Sequence, residues 1–132
     1  MDDLDTITDF LYGPGAPMAG SAMSDDEALA KVAQHFPGRP FCLVRQWIWA
    51  DLQLTEAERA VIARSGLQPV MMLAHAVVFD SRGRCPPGGW VRSSLLKSYS
   101  DGCFFETGNT IYVLLGMGCK KTARPSVVLK VF

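Results

Sequence analysis

The side chains that could serve as a catalytic nucleophile, base and acid are spread over the second half of the sequence. Cys103 or Ser94 could be the nucleophile, with His75 as its base. Asp101 or Glu106 could then orient the histidine. No Gly-x-Ser-x-Gly elbow is present, and His75 lies inside an apolar run that is more typical of a hydrogen-bonded core histidine. We therefore assign no catalytic residue.

A second catalytic arrangement is arginine, serine and glutamate on successive predicted strands, the order that enzymes transferring ADP-ribose use. Here it would consist of Arg45, the serines at positions 93 and 94, and Glu106. The acid two residues before the glutamate is missing, because that position holds Phe104. We therefore expect a protein that is not an enzyme, and keep a small transferase or hydrolase as an alternative.

Metal and cofactor sites also lack their usual spacing. The four cysteines, Cys42, Cys85, Cys103 and Cys119, form no Cys-x-x-Cys pair of the kind that places two ligands on one zinc ion. The glycines and lysines of residues 116–122 do not follow the Gly-x-x-x-x-Gly-Lys-Ser/Thr pattern of a phosphate loop. We expect no metal and no cofactor.

One strand carries the residue types that dominate protein interfaces. Arg45, Trp47 and Trp49 alternate along residues 41–49, so period-two geometry predicts that they share a face with Phe41 and Leu43. Tryptophan and arginine are enriched in interface hot spots, although such aromatics are also common in cores. Our leading hypothesis is therefore a non-enzymatic protein-binding module that uses these three residues.

The alternative is a nucleic-acid-binding protein. Residues 1–36 carry seven acids and one lysine, whereas residues 37–132 carry twelve bases and six acids. Either the acidic segment docks on the basic part of its own fold, or the basic part faces an anionic partner. The candidate phosphate contacts are Arg82, Arg84, Arg92, Lys120, Lys121 and Arg124.

The elements that must position these residues begin with three helices. Apolar spacing predicts a short helix over residues 4–11. Ser24 with Glu27, and Thr55 with Glu58, form capping boxes that start two further helices, which end at Pro37 and at residues 65–66. Residues 13–23 between the first two helices are predicted to be irregular.

Strands are predicted to follow. Apolar and β-branched runs predict strands over residues 41–49, 69–79, 90–96, 103–107 and 110–115. Gly108 and Asn109 predict a two-residue hairpin turn between the last two. Residues 116–125 are predicted to be a basic loop, and residues 127–132 a closing strand.

Helices early and strands late predict an α+β fold, with N-terminal helices packed on an antiparallel sheet or small open barrel of about five to six strands. A length of 132 residues suits one domain over residues 1–132. Within it, residues 1–23 hold the acidic helix and connection, residues 24–66 the capped helices flanking the Trp-rich strand, and residues 69–132 mainly antiparallel strands.

Several stretches resemble a family of small, uncharacterised proteobacterial and phage-associated proteins. They are Gly38-Arg39-Pro40 running into Trp47-Ile48-Trp49, Asp80-Ser81-Arg82-Gly83 followed by Trp90-Val91-Arg92-Ser93-Ser94, and the run from Phe105 to Leu114. The resemblance implies a bacterial or phage source and transfers no activity. It is consistent with a phage or prophage accessory factor that acts on a host protein.

The sequence has no apolar run of the ~18 residues that cross a bilayer, and its acidic start is unlike a signal peptide. We therefore expect a cytoplasmic protein with reduced thiols and no membrane contact. The expected partner is another protein, and the sequence leaves a homo-oligomer open.

Overall fold

The structure, a computed structural model, describes the backbone of residues 3–130 and the side chains from residue 6 onward. The helices within this part of the chain are α1 (Asp3–Tyr12), α2 (Asp25–His35), α3 (Glu56–Arg64) and α4 (Pro125–Leu129). Both predicted capping boxes are present, at Ser24 with Glu27 and at Thr55 with Glu58. The first three helices are therefore where local sequence patterns predicted them.

One curled, mixed sheet forms the rest of the fold. Its strands are β1 (Ala16–Ala19), β2 (Phe41–Leu52), β3 (Val70–Asp80), β4 (Val91–Arg92), β5 (Ser98–Ser100), β6 (Phe104–Glu106), β7 (Ile111–Leu114) and β8 (Met117–Ala123). The order along the main path is β1-β8-β2-β7-β6-β5, and β3 pairs with β2 and β4. The sheet curls into a half-barrel, so the predicted α+β class is confirmed.

The long strand β2 is the centre of the sheet. It pairs antiparallel with β3 along most of its length. On its other edge, residues 41–44 pair parallel with β7 and residues 48–52 pair parallel with β8. The sheet is therefore mixed rather than purely antiparallel, because β2 pairs antiparallel with β3 on one edge and parallel with β7 and then β8 on the other.

The face pattern predicted for β2 fails at Gln46, which has a φ of 53°. A left-handed residue interrupts the regular alternation of side chains between the two faces. In consequence Trp47, rather than Ile48, joins Cys42 and Val44 in one core cluster. Ile48 belongs to a different core cluster, with Ala50.

Two C-terminal predictions were wrong. The predicted basic loop over residues 116–125 contains strand β8, whose lysines lie in a strand because β2 and β1 supply ladder partners on both edges. The N-terminal connection over residues 13–23, which was predicted to be irregular, was also wrong: it contains β1, because β1 pairs with β8. The closing strand is replaced from Pro125 to Leu129 by α4, where proline suits the first helical turn. The end of that prediction, at positions 131 and 132, lies outside the described residues.

The strand prediction was also too long around Trp90, since only Val91 and Arg92 pair with β3. The predicted turn at positions 108–109 is confirmed by the strands on either side of it. Thr107 and Thr110 close this turn, because the Thr107 amide donates to the Thr110 carbonyl at 2.9 Å. The turn therefore joins β6 and β7 as neighbouring antiparallel strands of the sheet.

Candidate functional site

An exposed group of aromatic and sulfur-containing side chains covers one part of the surface. We call Tyr12, His75, Trp90 and Met117 the aromatic patch. Tyr12 is 66% exposed, Met117 62% and Trp90 37%. The rings of His75 and Trp90 lie 4.3 Å apart, and Tyr12 meets the His75 ring edge-on at 5.6 Å. Together these side chains concentrate apolar surface that is usually buried.

Three elements bring the aromatic patch together. Tyr12 is the last residue of α1, and Met117 is the first residue of β8. His75 lies on β3, beside the short ladder in which Ala74 pairs with Val91. Because α1, β3 and β8 are far apart in the chain, sequence periodicity gave no sign that these residues meet.

A hollow of about 430 Å³ opens beside the aromatic patch, and Trp47 lies beneath it. The Trp47 side chain is 1% exposed, and its indole Nε1 donates to the Leu115 carbonyl at 3.1 Å. Gly118 lies directly against the indole, so any side chain there would collide with the ring. Trp47 is thus a core residue that supports the hollow.

Arg45 lies outside the core, directly before Gln46, which lines the hollow. Its guanidinium forms an ion pair with Asp25 of α2 at 2.9 Å. It also approaches Gly116, next to Met117, where an added Cβ would stand 3.3 Å from the Arg45 Nη1. Arg45 therefore borders the aromatic patch and carries a charge that remains partly exposed.

Trp49, the third predicted binding residue, is half-buried and lies outside the lining of the hollow. Its ring meets Tyr99 edge-on at 4.9 Å and Phe105 at 5.4 Å. Its Nε1 donates to the Asp51 carboxylate at 3.1 Å. Of the three, Trp47 lines the hollow, whereas Trp49 packs against the same core cluster as Trp47 without lining the hollow.

The six residues of the nucleic-acid alternative fall at separated places. Arg82 and Arg84 follow β3 at the end where Asp80 pairs with Cys42, near the start of β2. Lys120, Lys121 and Arg124 lie near the other end of β2, where Lys120 pairs with Trp49, roughly 23 Å along the strand at ~3.3 Å per residue. Arg92 donates to the Val128 and Leu129 carbonyls, closing α4. No single face brings the six together.

The three cations on β8 and just after it line a cavity of about 470 Å³, which we call the basic groove. Its lining includes Lys120, Lys121 and Arg124 together with Phe10 of α1. The Lys121 ammonium donates to the Phe10 carbonyl, and Lys120 lies 3.6 Å from the Asp51 carboxylate. This groove is a second candidate site, and its three cations suit anionic ligands rather than apolar ones.

The catalytic groups weighed from sequence are engaged in other contacts. Asp101 lies 3.6 Å from His35, and Glu106 accepts from Arg39 at 3.1 Å. His75 instead meets aromatic rings, and burial lowers its pKa, with the Lys121 ammonium lowering it further. Neither acid is therefore placed to orient His75.

The nucleophile candidates differ in exposure: Cys103 is buried, whereas Ser94, the serine weighed with His75, is exposed, and it is its neighbour Ser93 that is occupied. Cys103 is buried, and this burial raises the pKa of its thiol. The Ser93 hydroxyl accepts from the Met72 amide at 2.8 Å and donates to the Ser94 carbonyl at 2.7 Å. Ser93 is therefore part of the packing between β3 and the segment that follows β4.

Within residues 3–130, no group of three or more His, Cys, Asp or Glu side chains is placed to hold a metal ion. In the same part of the chain, no helix is long and apolar enough to cross a membrane. All four cysteines have free thiols.

The fold is thus an α+β half-barrel that carries an aromatic patch and a basic groove on the two sides of α1. A family model described as a domain of unknown function, DUF6957, matches residues 18–130. Because the match covers most of the chain, the protein belongs to this family. Comparisons with curated proteins and with solved structures gave no match.

Proposed function

We propose that this protein is a non-enzymatic binding module whose contact surface for another protein is the aromatic patch. The observation that carries the proposal is the exposure of Tyr12 and Met117 in the lining of a hollow above the buried Trp47, with Trp90 stacked on His75 beside them. Tyrosine, tryptophan, methionine and arginine are the residue types enriched at interfaces. Arg45 at the border supplies the last of these.

The shape of the site favours a partner that inserts an apolar side chain. The hollow beside Met117 has room for a large apolar side chain, and Trp47 beneath it is held by packing and by its hydrogen bond to Leu115. A fixed floor reduces the ordering cost of binding, and methionine adapts its shape to an inserted group. The partner's side chain would contact Tyr12 and Met117 while its flanking residues meet Arg45.

The cellular setting of this interaction is also part of the proposal. Four free thiols suit a reducing compartment, so we place the protein and its partner in the cytoplasm. The resemblance to phage-associated proteins favours a host protein as the partner of a phage or prophage accessory factor. Binding of nucleic acid, self-association and catalysis are the alternatives that the experiment must separate.

The test is affinity capture of tagged protein from a lysate of its source organism, with and without nuclease, followed by mass spectrometry. The informative variant is Tyr12→Ser with Met117→Ser, since both side chains are mostly exposed. Its matched control is Val61→Ser with Leu129→Ser, which removes similarly exposed apolar side chains outside the aromatic patch.

We expect a stoichiometric protein partner that survives nuclease, is retained by the control and is lost by the patch variant. Losing hot-spot contacts should weaken binding by about 2 kcal/mol or more. Equal capture by the patch variant would exclude the aromatic patch. Loss of all partners on nuclease treatment would favour nucleic acid, and capture of a second copy alone would make the patch an oligomer interface.

A further inference from the structure

We propose that the basic groove binds the phosphate group of a small phosphorylated molecule. The groove has the volume of a small-molecule site, since such sites occupy about 300–1,000 Å³ and this one about 470 Å³. It lies on the opposite side of α1 from the aromatic patch, so this inference goes beyond the proposed protein binding.

The polar edge of the groove is an alternating row at the end of β8. Lys120, Thr122 and Arg124 are exposed, whereas Ala123 between the last two is buried in the core. Alternate residues of an extended chain project to the same side, so one hydroxyl lies between two cations. A phosphate bound there would accept from Thr122 and from the Arg124 guanidinium, whose fork matches phosphate oxygens.

The three cations differ in how far they are already neutralised. Lys121 is committed to α1, because Pro14 has no N–H to donate to the Phe10 carbonyl and the Lys121 ammonium donates in its place. Lys120 has a loose pair with Asp51 at 3.6 Å. The Arg124 side chain makes no capping hydrogen bond to α4, which leaves its donors for a ligand.

The other residues that line the groove indicate what the part of the ligand beyond its phosphate would be. Asp9 is the carboxylate in the lining, so the cations outnumber the acids there by three to one. Phe10 and Val127 supply apolar parts of the same lining. This combination suits a phosphate monoester with an apolar or aromatic body better than inorganic phosphate alone.

The experiment is isothermal titration of the full-length protein with three probes: inorganic phosphate, adenosine monophosphate and a 20-nucleotide single-stranded DNA. The informative variant is Arg124→Gln, which removes the charge without removing a cap. Arg59→Gln on the exposed surface of α3 is the matched control. Thermal unfolding of each variant establishes that the fold is intact.

We expect saturable binding of the monophosphate, weakened at least about tenfold by Arg124→Gln and unchanged by Arg59→Gln, since charge-assisted hydrogen bonds supply an effect of that size. Weaker binding of inorganic phosphate would show that the apolar part of the lining contributes. Equal binding by Arg124→Gln, or no monophosphate binding, would overturn the proposal. DNA binding without monophosphate binding would also overturn it, in favour of a nucleic-acid surface.

Discussion

Gly118 should tolerate no side chain, because the Trp47 indole lies flat against it. An added Cβ at Gly118 would stand 2.5 Å from the Trp47 Cε3 and 2.6 Å from its Cε2. Ordinary carbon contacts begin at about 3.5 Å, so the ring would have to move by about 1 Å. Such a shift would also weaken the hydrogen bond that the Trp47 Nε1 donates to the Leu115 carbonyl, in which the nitrogen and oxygen lie 3.1 Å apart.

The expected cost of Gly118→Ala follows from these two effects. Overpacking a buried site destabilises by about 1–3 kcal/mol. Weakening the indole hydrogen bond adds about 1 kcal/mol. We therefore expect the free energy of unfolding to fall by about 2–4 kcal/mol. Urea denaturation followed by far-UV circular dichroism would measure this change, with the slope of the transition unchanged.

A double-mutant cycle separates the collision from any general effect of alanine in a strand. Trp47→Leu removes the ring, so adding Gly118→Ala to it should cost at least about 1 kcal/mol less than adding it to the wild type. Alanine is otherwise a mild change for a strand glycine. A cost below about 0.5 kcal/mol for Gly118→Ala, or full additivity in the cycle, would refute the packing argument.

Three further predictions concern buried polar and titratable groups. Burial raises the pKa of the Cys42 thiol to about 12, and Cys103 is also buried, so both should resist iodoacetamide at pH 8 until denaturant is added. Mass spectrometry of labelled peptides would contradict this if either were modified in the folded protein. Asp80 accepts from three backbone amides of the turn after β3, so Asp80→Ala should lower the free energy of unfolding by about 2–3 kcal/mol in urea denaturation. An effect below 1 kcal/mol would show that the turn needs no such acceptor. Burial lowers the pKa of His75, so the unfolded chain binds its proton more tightly, and stability should fall as pH drops below about 6.5. Thermal unfolding across pH 5–8 should show a flatter profile for His75→Gln, and an unchanged profile would remove His75 as the cause.

Features set by neighbouring residues could be predicted from the sequence. The capping boxes at Ser24 and Thr55 act over three residues, and both helices begin where those patterns place them. The turn at positions 108–109 is equally local. These elements, with the late strands, were enough to predict the α+β class.

Features that depend on distant partners could not be predicted. The lysines of β8 lie in a strand because β2 and β1 pair with it, and nothing in residues 117–123 indicates those partners. The left-handed backbone at Gln46 likewise has no local signature, yet it decides that Trp47 packs in the core. Tyr12 and Met117 were missed as site residues because three separate elements must meet before they form a patch.

Helix α1 is the element that connects the two candidate sites. Its residue Tyr12 belongs to the aromatic patch, while Phe10, two positions earlier, lines the basic groove. The helix is fastened at this point by Lys121, whose ammonium donates to the Phe10 carbonyl and lies 5.8 Å from the Phe10 ring. The Lys121 ammonium also lowers the pKa of His75, so its charge acts on a residue of the aromatic patch as well. Lys121 therefore anchors α1 two residues before Tyr12, so one cation of the basic groove also supports the helix that carries the aromatic patch.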